Sequence, residues 1–134
     1  MGYCIVLENS EFRIKTLDLA KAAQAIRGLH GSETIGDSSG RHFSWVDKGF
    51  HLLDGIDNLL KAWRWAPEFA DDGSICGLEF EGEKSGDDEI LFGALAPFVV
   101  ADSFLMFLGE DGDRWRYLFD GKGMEIQYAK VVWE

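Results

Sequence analysis

The feature that most constrains this fold is the stretch 109–121, in which a tight turn leads into a strictly alternating segment. Its turn is Asp111-Gly112, and an Asp-Gly pair between two apolar runs favours a β-hairpin because glycine adopts the positive φ that the turn requires. Successive side chains of a strand point to opposite faces, so the segment after the turn has an aromatic face and a basic face. The aromatic face carries Trp115, Tyr117 and Phe119, and the basic face carries Arg114 and Arg116.

The same stretch predicts an antiparallel meander in the C-terminal half of the chain. The apolar run 104–108 precedes the hairpin turn, and a second glycine-containing turn at 120–123 leads into a last strand over 124–133. Successive strands joined by short turns pair antiparallel, with one face buried and the other open to solvent. We therefore expect the aromatic face to pack on the core and the arginine face to remain exposed.

The first half of the chain predicts helices between strands. Residues 16–27 and 50–65 carry apolar side chains at helical spacing. Pro67 is expected to end the second of these helices, because the residue before a proline avoids the helical region. Strands are expected at 3–14, 43–46 and 75–80.

Residues 90–100 form an apolar run that suits a strand or a helix. A helix is favoured because Asp87 and Asp88 suit its N-cap and first turn, and Pro97 is expected to end it. The predicted fold is then α+β: a mainly antiparallel sheet, ending in a three-stranded meander, with two or three helices packed on one face.

Length and composition favour one globular domain over residues 1–134. A chain of this size buries about two thirds of its unfolded surface, and 46% hydrophobic residues argue against disorder. The Gly- and Ser-rich segment 31–40 is predicted to be a mobile loop. No secretory signal or membrane-length apolar run is present, and two distant cysteines are expected to be free thiols, so cytoplasmic residence is expected.

The net charge of −11 lies entirely in the second half of the chain. Residues 1–66 carry eight acidic and eight basic side chains, whereas residues 67–134 carry sixteen acidic and five basic ones. Such a field disfavours nucleic acid and anionic membranes as partners, and favours a basic protein. Solubility alone is the competing interpretation. The candidate binding acids are Asp87, Asp88, Glu89, Glu110, Asp111 and Asp113.

Motifs for catalysis, metals and cofactors are missing from the sequence. The histidines His30, His42 and His51 have no ligand-type spacing, so no metal site is predicted. The acids of 110–113 match only a fragment of a calcium loop and are explained by turn chemistry. No nucleophile motif or nucleotide-binding glycine loop occurs, so we predict no catalytic residue and no cofactor.

Arginines beside aromatic residues provide the remaining candidates. Trp63 and Arg64 stand in one segment, and Arg114 and Arg116 in another. They form either an internal latch, with Arg114 or Arg116 paired to an acid such as Glu125 across the hairpin, or a binding surface.

Four segments resemble small bacterial or phage-borne proteins whose function is uncharacterised. The resemblance covers residues 40–134 and implies no activity, so no functional residue is transferred from it. The segments are 43–46, 63–65, 96–99 and the Gly-Glu-Asp-Gly-x-x-Trp-Arg hairpin at 109–116.

Three functional hypotheses follow. The first is a non-enzymatic acidic protein that binds a basic partner, as an inhibitor, immunity protein or nucleic-acid mimic. The second is a small enzyme or small-molecule binder with an Arg/Trp-lined pocket for an anionic ligand, between the helix at 50–65 and the sheet. The third is a self-associating module that forms a homodimer through a sheet edge near Trp133.

Overall fold

A computed structural model of the chain describes residues 2–31 and 43–133. Within these residues the fold is α+β, as predicted, with a four-stranded antiparallel sheet, a two-stranded antiparallel sheet and three α-helices. No helix in these two ranges is both long enough and apolar enough to cross a membrane. The helices are α1 (Leu19–Gly28), α2 (Ile56–Ala62) and α3 (Asp88–Leu95). The strands are β1 (Ile5–Glu11), β2 (Trp65–Phe69), β3 (Ile75–Phe80), β4 (Phe104–Gly109), β5 (Arg114–Phe119) and β6 (Met124–Tyr128).

The predicted meander is confirmed as the main part of the larger sheet. Its strand order is β1-β4-β5-β6, and all three pairings are antiparallel. Tyr117 and Phe119 are buried on the inner face, with Trp115 half-buried beside them, whereas Arg114 and Arg116 are exposed on the outer face. The alternation in the sequence therefore separates the core from solvent as expected.

Helix α3 packs on the inner face of this sheet. Its Phe92 lies 6.0 Å from the ring of Tyr117 and 4.9 Å from the ring of Trp65, measured between ring centroids. The chain at both ends of β1 connects the larger sheet to the β2–β3 hairpin and the residues after it. Ile5 N–H donates to the carbonyl of Glu83, just after β3, and Ile14 exchanges two backbone hydrogen bonds of 3.0 Å with Ile75 of β3. One hydrophobic core consequently runs through both sheets and the helices.

The helix predicted at 50–65 is wrong in its bounds. A 3₁₀ turn at Phe50–Leu52 is separated from α2 by Gly55, whose φ of 81° interrupts the helix. The chain then leaves α2 through Arg64, with φ 75°, and enters β2. Pro67 does not end a helix, because it lies within β2, where it pairs with Leu78 at the edge of a two-stranded sheet.

Two predicted strands also need correction. Residues 43–46 form a turn, in which Val46 N–H donates to the carbonyl of Phe43 at 3.2 Å. The last strand ends at Tyr128, so Trp133 is 91% exposed and lies beyond the sheet.

The helical alternative for 90–100 is confirmed by α3, and Pro97 lies in the 3₁₀ turn that follows it. The segment predicted as a mobile loop, 31–40, falls outside the described residues from position 32 onward.

Candidate functional site

The hairpin turn between β4 and β5 forms one wall of a cavity of about 610 Å³. The other walls come from the N-terminal segment, the start of α3 and the end of β6. We call this cavity the acidic groove. Its central side chains are Tyr3, Glu89, Asp111, Asp113, Trp115 and Tyr117.

A close approach of two segments builds the aromatic wall of the groove. Tyr3 lies directly over Gly109, where a Cβ would overlap the phenol ring at 2.6 Å. Glycine at this position therefore lets the Tyr3 ring lie against β4. The Tyr3 and Trp115 rings are 6.3 Å apart, and Trp115 stacks on the buried Phe107 at 5.6 Å. Packing against the core residue Phe107 thus fixes the Trp115 ring in the wall of the groove.

The carboxylate of Asp111 is held in its charged form. The Tyr3 hydroxyl donates a hydrogen bond to it, and the backbone N–H of Asp113 donates another at 3.2 Å. The Tyr3 hydrogen bond is the main cause that lowers the pKa of Asp111, and the same contact raises the pKa of Tyr3 to about 12. Asp111 therefore keeps its negative charge well below neutral pH.

A Tyr3→Phe substitution is expected to raise the pKa of Asp111 towards its ordinary value of 3.8. Because the folded-state pKa is lowered, this contact stabilises the fold above pH ~4, and the contribution is lost as the pH falls through the folded-state pKa. Carboxyl NMR titration measures the shift. Asp72, whose pKa is lowered mainly by Ser74, serves as the internal reference and should not move. An unchanged Asp111 titration would show that Tyr3 does not hold this carboxylate.

Tyr117 supplies a buried polar group at the base of the groove. The residue is only 7% exposed. Burial raises the pKa of Tyr117 strongly, and the carboxylates of Asp88 and Glu89 raise it further. The phenol thus stays neutral at the base of the groove.

Arg114 lies at the rim of the groove and does not cancel the negative charge of the groove's carboxylates. Arg114 donates to both carboxylate oxygens of Glu8, from Nε at 2.8 Å and from Nη2 at 3.2 Å. This bidentate ion pair holds the Arg114 guanidinium on the outer face of the sheet. Glu89, Asp111 and Asp113 are exposed and have no ion-pair partner among the described residues. The groove therefore attracts cations.

Three other predicted site residues have structural contacts instead. Asp88 is 3% exposed and pairs with Arg64 Nη2 at 3.2 Å. Arg64 also donates to the carbonyl of Lys84 at 2.7 Å, and Trp63 is 1% exposed in the core. The structure does not bring Trp63 and Arg64 to the same surface as Arg116, which donates to Gln127 on the outer face.

The remaining predicted acids tie loops to the sheet. Asp87 accepts the backbone N–H of Ser44 at 2.8 Å, and Glu110 accepts that of Cys4 at 2.7 Å. Among the described residues Glu125 forms no ion pair with an arginine, and its carboxylate accepts from Gln127 Nε2 at 3.0 Å.

Sequence reasoning missed Tyr3 as a member of the site. This residue lies 108 positions from Asp111 and reaches it only because β1 pairs with β4. Tyr117 was predicted to belong to the core. Its position at the base of the groove depends on α3, which places Glu89 in the same cavity, and the sequence does not show this arrangement.

Comparisons with protein-family models, curated proteins and solved structures find no match. In the part of the chain that the structure describes, no group of three or more His, Cys, Asp or Glu side chains is arranged to hold a metal ion. The chemistry of the acidic groove is consequently the basis for a functional proposal.

Proposed function

We propose that this is a non-enzymatic acidic binding protein that engages a basic protein partner through the acidic groove. The observation that carries the proposal is the convergence of three carboxylates, which have no ion-pair partner among the described residues, with the rings of Tyr3 and Trp115. A lysine or arginine side chain is stabilised by both kinds of group, because carboxylates attract its positive charge and the face of an aromatic ring attracts a cation.

The charge of the whole chain supports the same kind of partner. The second half of the sequence carries sixteen acidic side chains against five basic ones, and the groove lies mainly in that half. A field of this sign accelerates the approach of a basic protein and repels nucleic acid and anionic lipid. An inhibitor, an immunity protein or a mimic of nucleic acid would use such a surface. The proposal places the protein in the cytoplasm, where its free thiols Cys4 and Cys76 remain reduced.

An anionic ligand is less well supported. Arg64 pairs with Asp88, and Arg114 pairs with Glu8, so two of the three candidate arginines already have carboxylate partners. Self-association has one observation in its favour, because Val131, Val132 and Trp133 are between 77% and 91% exposed. The net charge of −11 on each copy opposes it.

The proposal is tested by neutralising two charges of the groove. Asp111→Asn/Asp113→Asn is expected to weaken binding of an oligolysine peptide about tenfold at low salt, because each exposed charge pair contributes a few-fold to affinity. Titration followed by two-dimensional NMR measures the dissociation constant and shows whether the Trp115 indole signal moves.

A matched control removes the same charge elsewhere. Asp71→Asn/Glu79→Gln changes two exposed carboxylates on the β2–β3 hairpin, neither of which lines the groove. This control should bind the peptide nearly as well as the unmodified protein. Equal weakening by both double substitutions, with no shift at Trp115, would mean that only net charge matters and that the groove is not a binding site.

A further inference from the structure

We propose that the basic partner binds as an extended strand, which adds to the free edge of β6 and places alternate side chains in two grooves on opposite faces of the sheet. This inference rests on the proposed function and specifies how the partner is held. Strand addition of this kind takes its affinity from main-chain hydrogen bonds and its specificity from pockets for alternate side chains.

Among the residues that the structure describes, no backbone group pairs with the outer edge of β6. The strand is last in the sheet order, and the β5–β6 ladder is bounded by two bonds, from Ala129 N–H to the Arg114 carbonyl at 3.0 Å and from Asp120 N–H to the Gly123 carbonyl at 3.2 Å. Antiparallel pairs alternate, so the odd-numbered residues of β6 bond to β5. The residues that direct N–H and C=O away from the sheet are Met124, Ile126 and Tyr128.

The edge carries few of the features that normally block strand addition, and no element among the described residues pairs with it. Residues 124–128 contain no proline and no lysine, and their pairing with β5 has no register shift. Their one charged side chain is Glu125, and Lys122 and Lys130 lie outside the strand. Edge strands are usually protected by such residues, by bulges or by a covering element. An edge with so little protection can serve as a template for one more strand.

The acidic groove opens at this edge on the inner face. Ile126 and Tyr128 line it together with Trp115, and Tyr128 is directly opposite Trp115 in the register. A side chain that points inward from an added strand would enter the groove beside Glu89 and the Tyr117 hydroxyl. This position accepts a lysine or an arginine.

A second cavity of about 270 Å³ opens at the same edge on the outer face. We call it the outer groove, and its side chains include Met106, Arg116 and Gln127, with Tyr128 and Ala129 at its end. Arg116 Nε donates to Gln127 Oε1 at 2.6 Å, so the guanidinium is held at the surface. This cavity repels a cation and favours an apolar or acidic side chain. The two grooves thus predict a partner in which basic residues occupy every second position.

Charge complementarity favours a basic partner over a second copy of this chain. Each copy carries a net charge of −11, and pairing two β6 edges would bring two acidic grooves together. A basic segment instead neutralises Glu89, Asp111 and Asp113 as it binds.

Selection from a phage-displayed library of random twelve-residue peptides tests the inference. We expect enriched peptides to carry Lys or Arg at alternate positions, with β-branched or acidic residues between them. The best peptide is then synthesised in two forms, each N-methylated on one of the two alternating sets of residues. One form should lose at least fiftyfold in affinity, because its methyl groups face the β6 edge, and the other should bind within about threefold of the parent.

Hydrogen exchange gives an independent measurement on the unmodified protein. Bound peptide should protect the amides of Ile126 and Tyr128, whereas those of Glu125 and Gln127 are already bonded to β5 and should change little. A dimer in sedimentation, with Ile126 and Tyr128 protected before peptide is added, would overturn the inference in favour of a second copy.

The remaining outcomes separate the two proposals. Basic peptides without alternation, which tolerate both methylation patterns but bind Asp111→Asn/Asp113→Asn poorly, would reject strand addition and leave the proposed function in place. Enrichment of non-basic peptides, or no enrichment at all, would reject both.

Discussion

A Phe92→Ala substitution is expected to lower the free energy of unfolding by about 4 kcal/mol, because it removes a fully buried ring and leaves a cavity. Phe92 is 0% exposed and connects α3 to the larger sheet and to β2. The surrounding side chains can close such a space only in part, because they are themselves closely packed. Its ring neighbours, with centroid distances from 4.9 to 6.4 Å, are Phe12, Trp65, Tyr117 and Phe119.

Chemical denaturation of two further variants provides the comparison. Phe92→Leu keeps much of the volume and should cost about 1.5 kcal/mol. Phe69→Ala removes the same ring from a position that is 47% exposed and should cost less than about 1 kcal/mol. If Phe92→Ala were no more destabilising than Phe69→Ala, α3 would not be anchored to the sheet as the structure has it.

Local chemistry explains why the meander was predictable. A strand period of two and a tight turn each depend on a few adjacent residues. Gly112 and Gly121 have φ values of 92° and 90°, as the two turns require. The burial of Tyr117 and Phe119 follows directly from the alternation.

The break in the predicted helix at 50–65 depends on contacts that are distant in sequence. The apolar spacing of this segment is the same whether it forms one helix or a turn, a shorter helix and a strand. Arg64 leaves the helical region with φ 75°, and its guanidinium is bound by the Lys84 carbonyl and the Asp88 carboxylate. Those partners lie 20 and 24 residues away, so no local pattern contains them.

The sequence predicted acidic residues of the candidate site, but it did not predict how they are arranged in space. Asp111, Asp113 and Glu89 could be named as acids because the charge of the second half is visible in the sequence. Their convergence requires the β4–β5 turn, the start of α3 and the N-terminal segment to meet at one edge of the sheet. Tyr3 reaches these acids only because β1 pairs with β4. Asp88 is not part of the site, because the first turn of α3 places it in the interior, where it is 3% exposed.

An Asp88→Ala substitution is expected to destabilise the protein by about 4 kcal/mol, because removing one partner of a buried ion pair leaves the other charge uncompensated. The Asp88 carboxylate accepts from Trp65 Nε1 at 3.0 Å, from Arg64 Nη2 at 3.2 Å and from the backbone N–H of Gly86 at 3.2 Å. Arg64, whose side chain is only 15% exposed, would lose its counter-ion. Thermal and chemical denaturation measure the loss.

Two comparisons separate the buried charge from an ordinary lost hydrogen bond. Asp87→Ala removes one exposed bond, to the Ser44 N–H, and should cost about 1 kcal/mol. In a double-mutant cycle, Arg64→Met/Asp88→Ala should cost clearly less than the sum of the two single substitutions, because no charge is then left unpaired. Strict additivity would show that Arg64 and Asp88 do not stabilise each other, and that Asp88 acts through Trp65 and Gly86 alone.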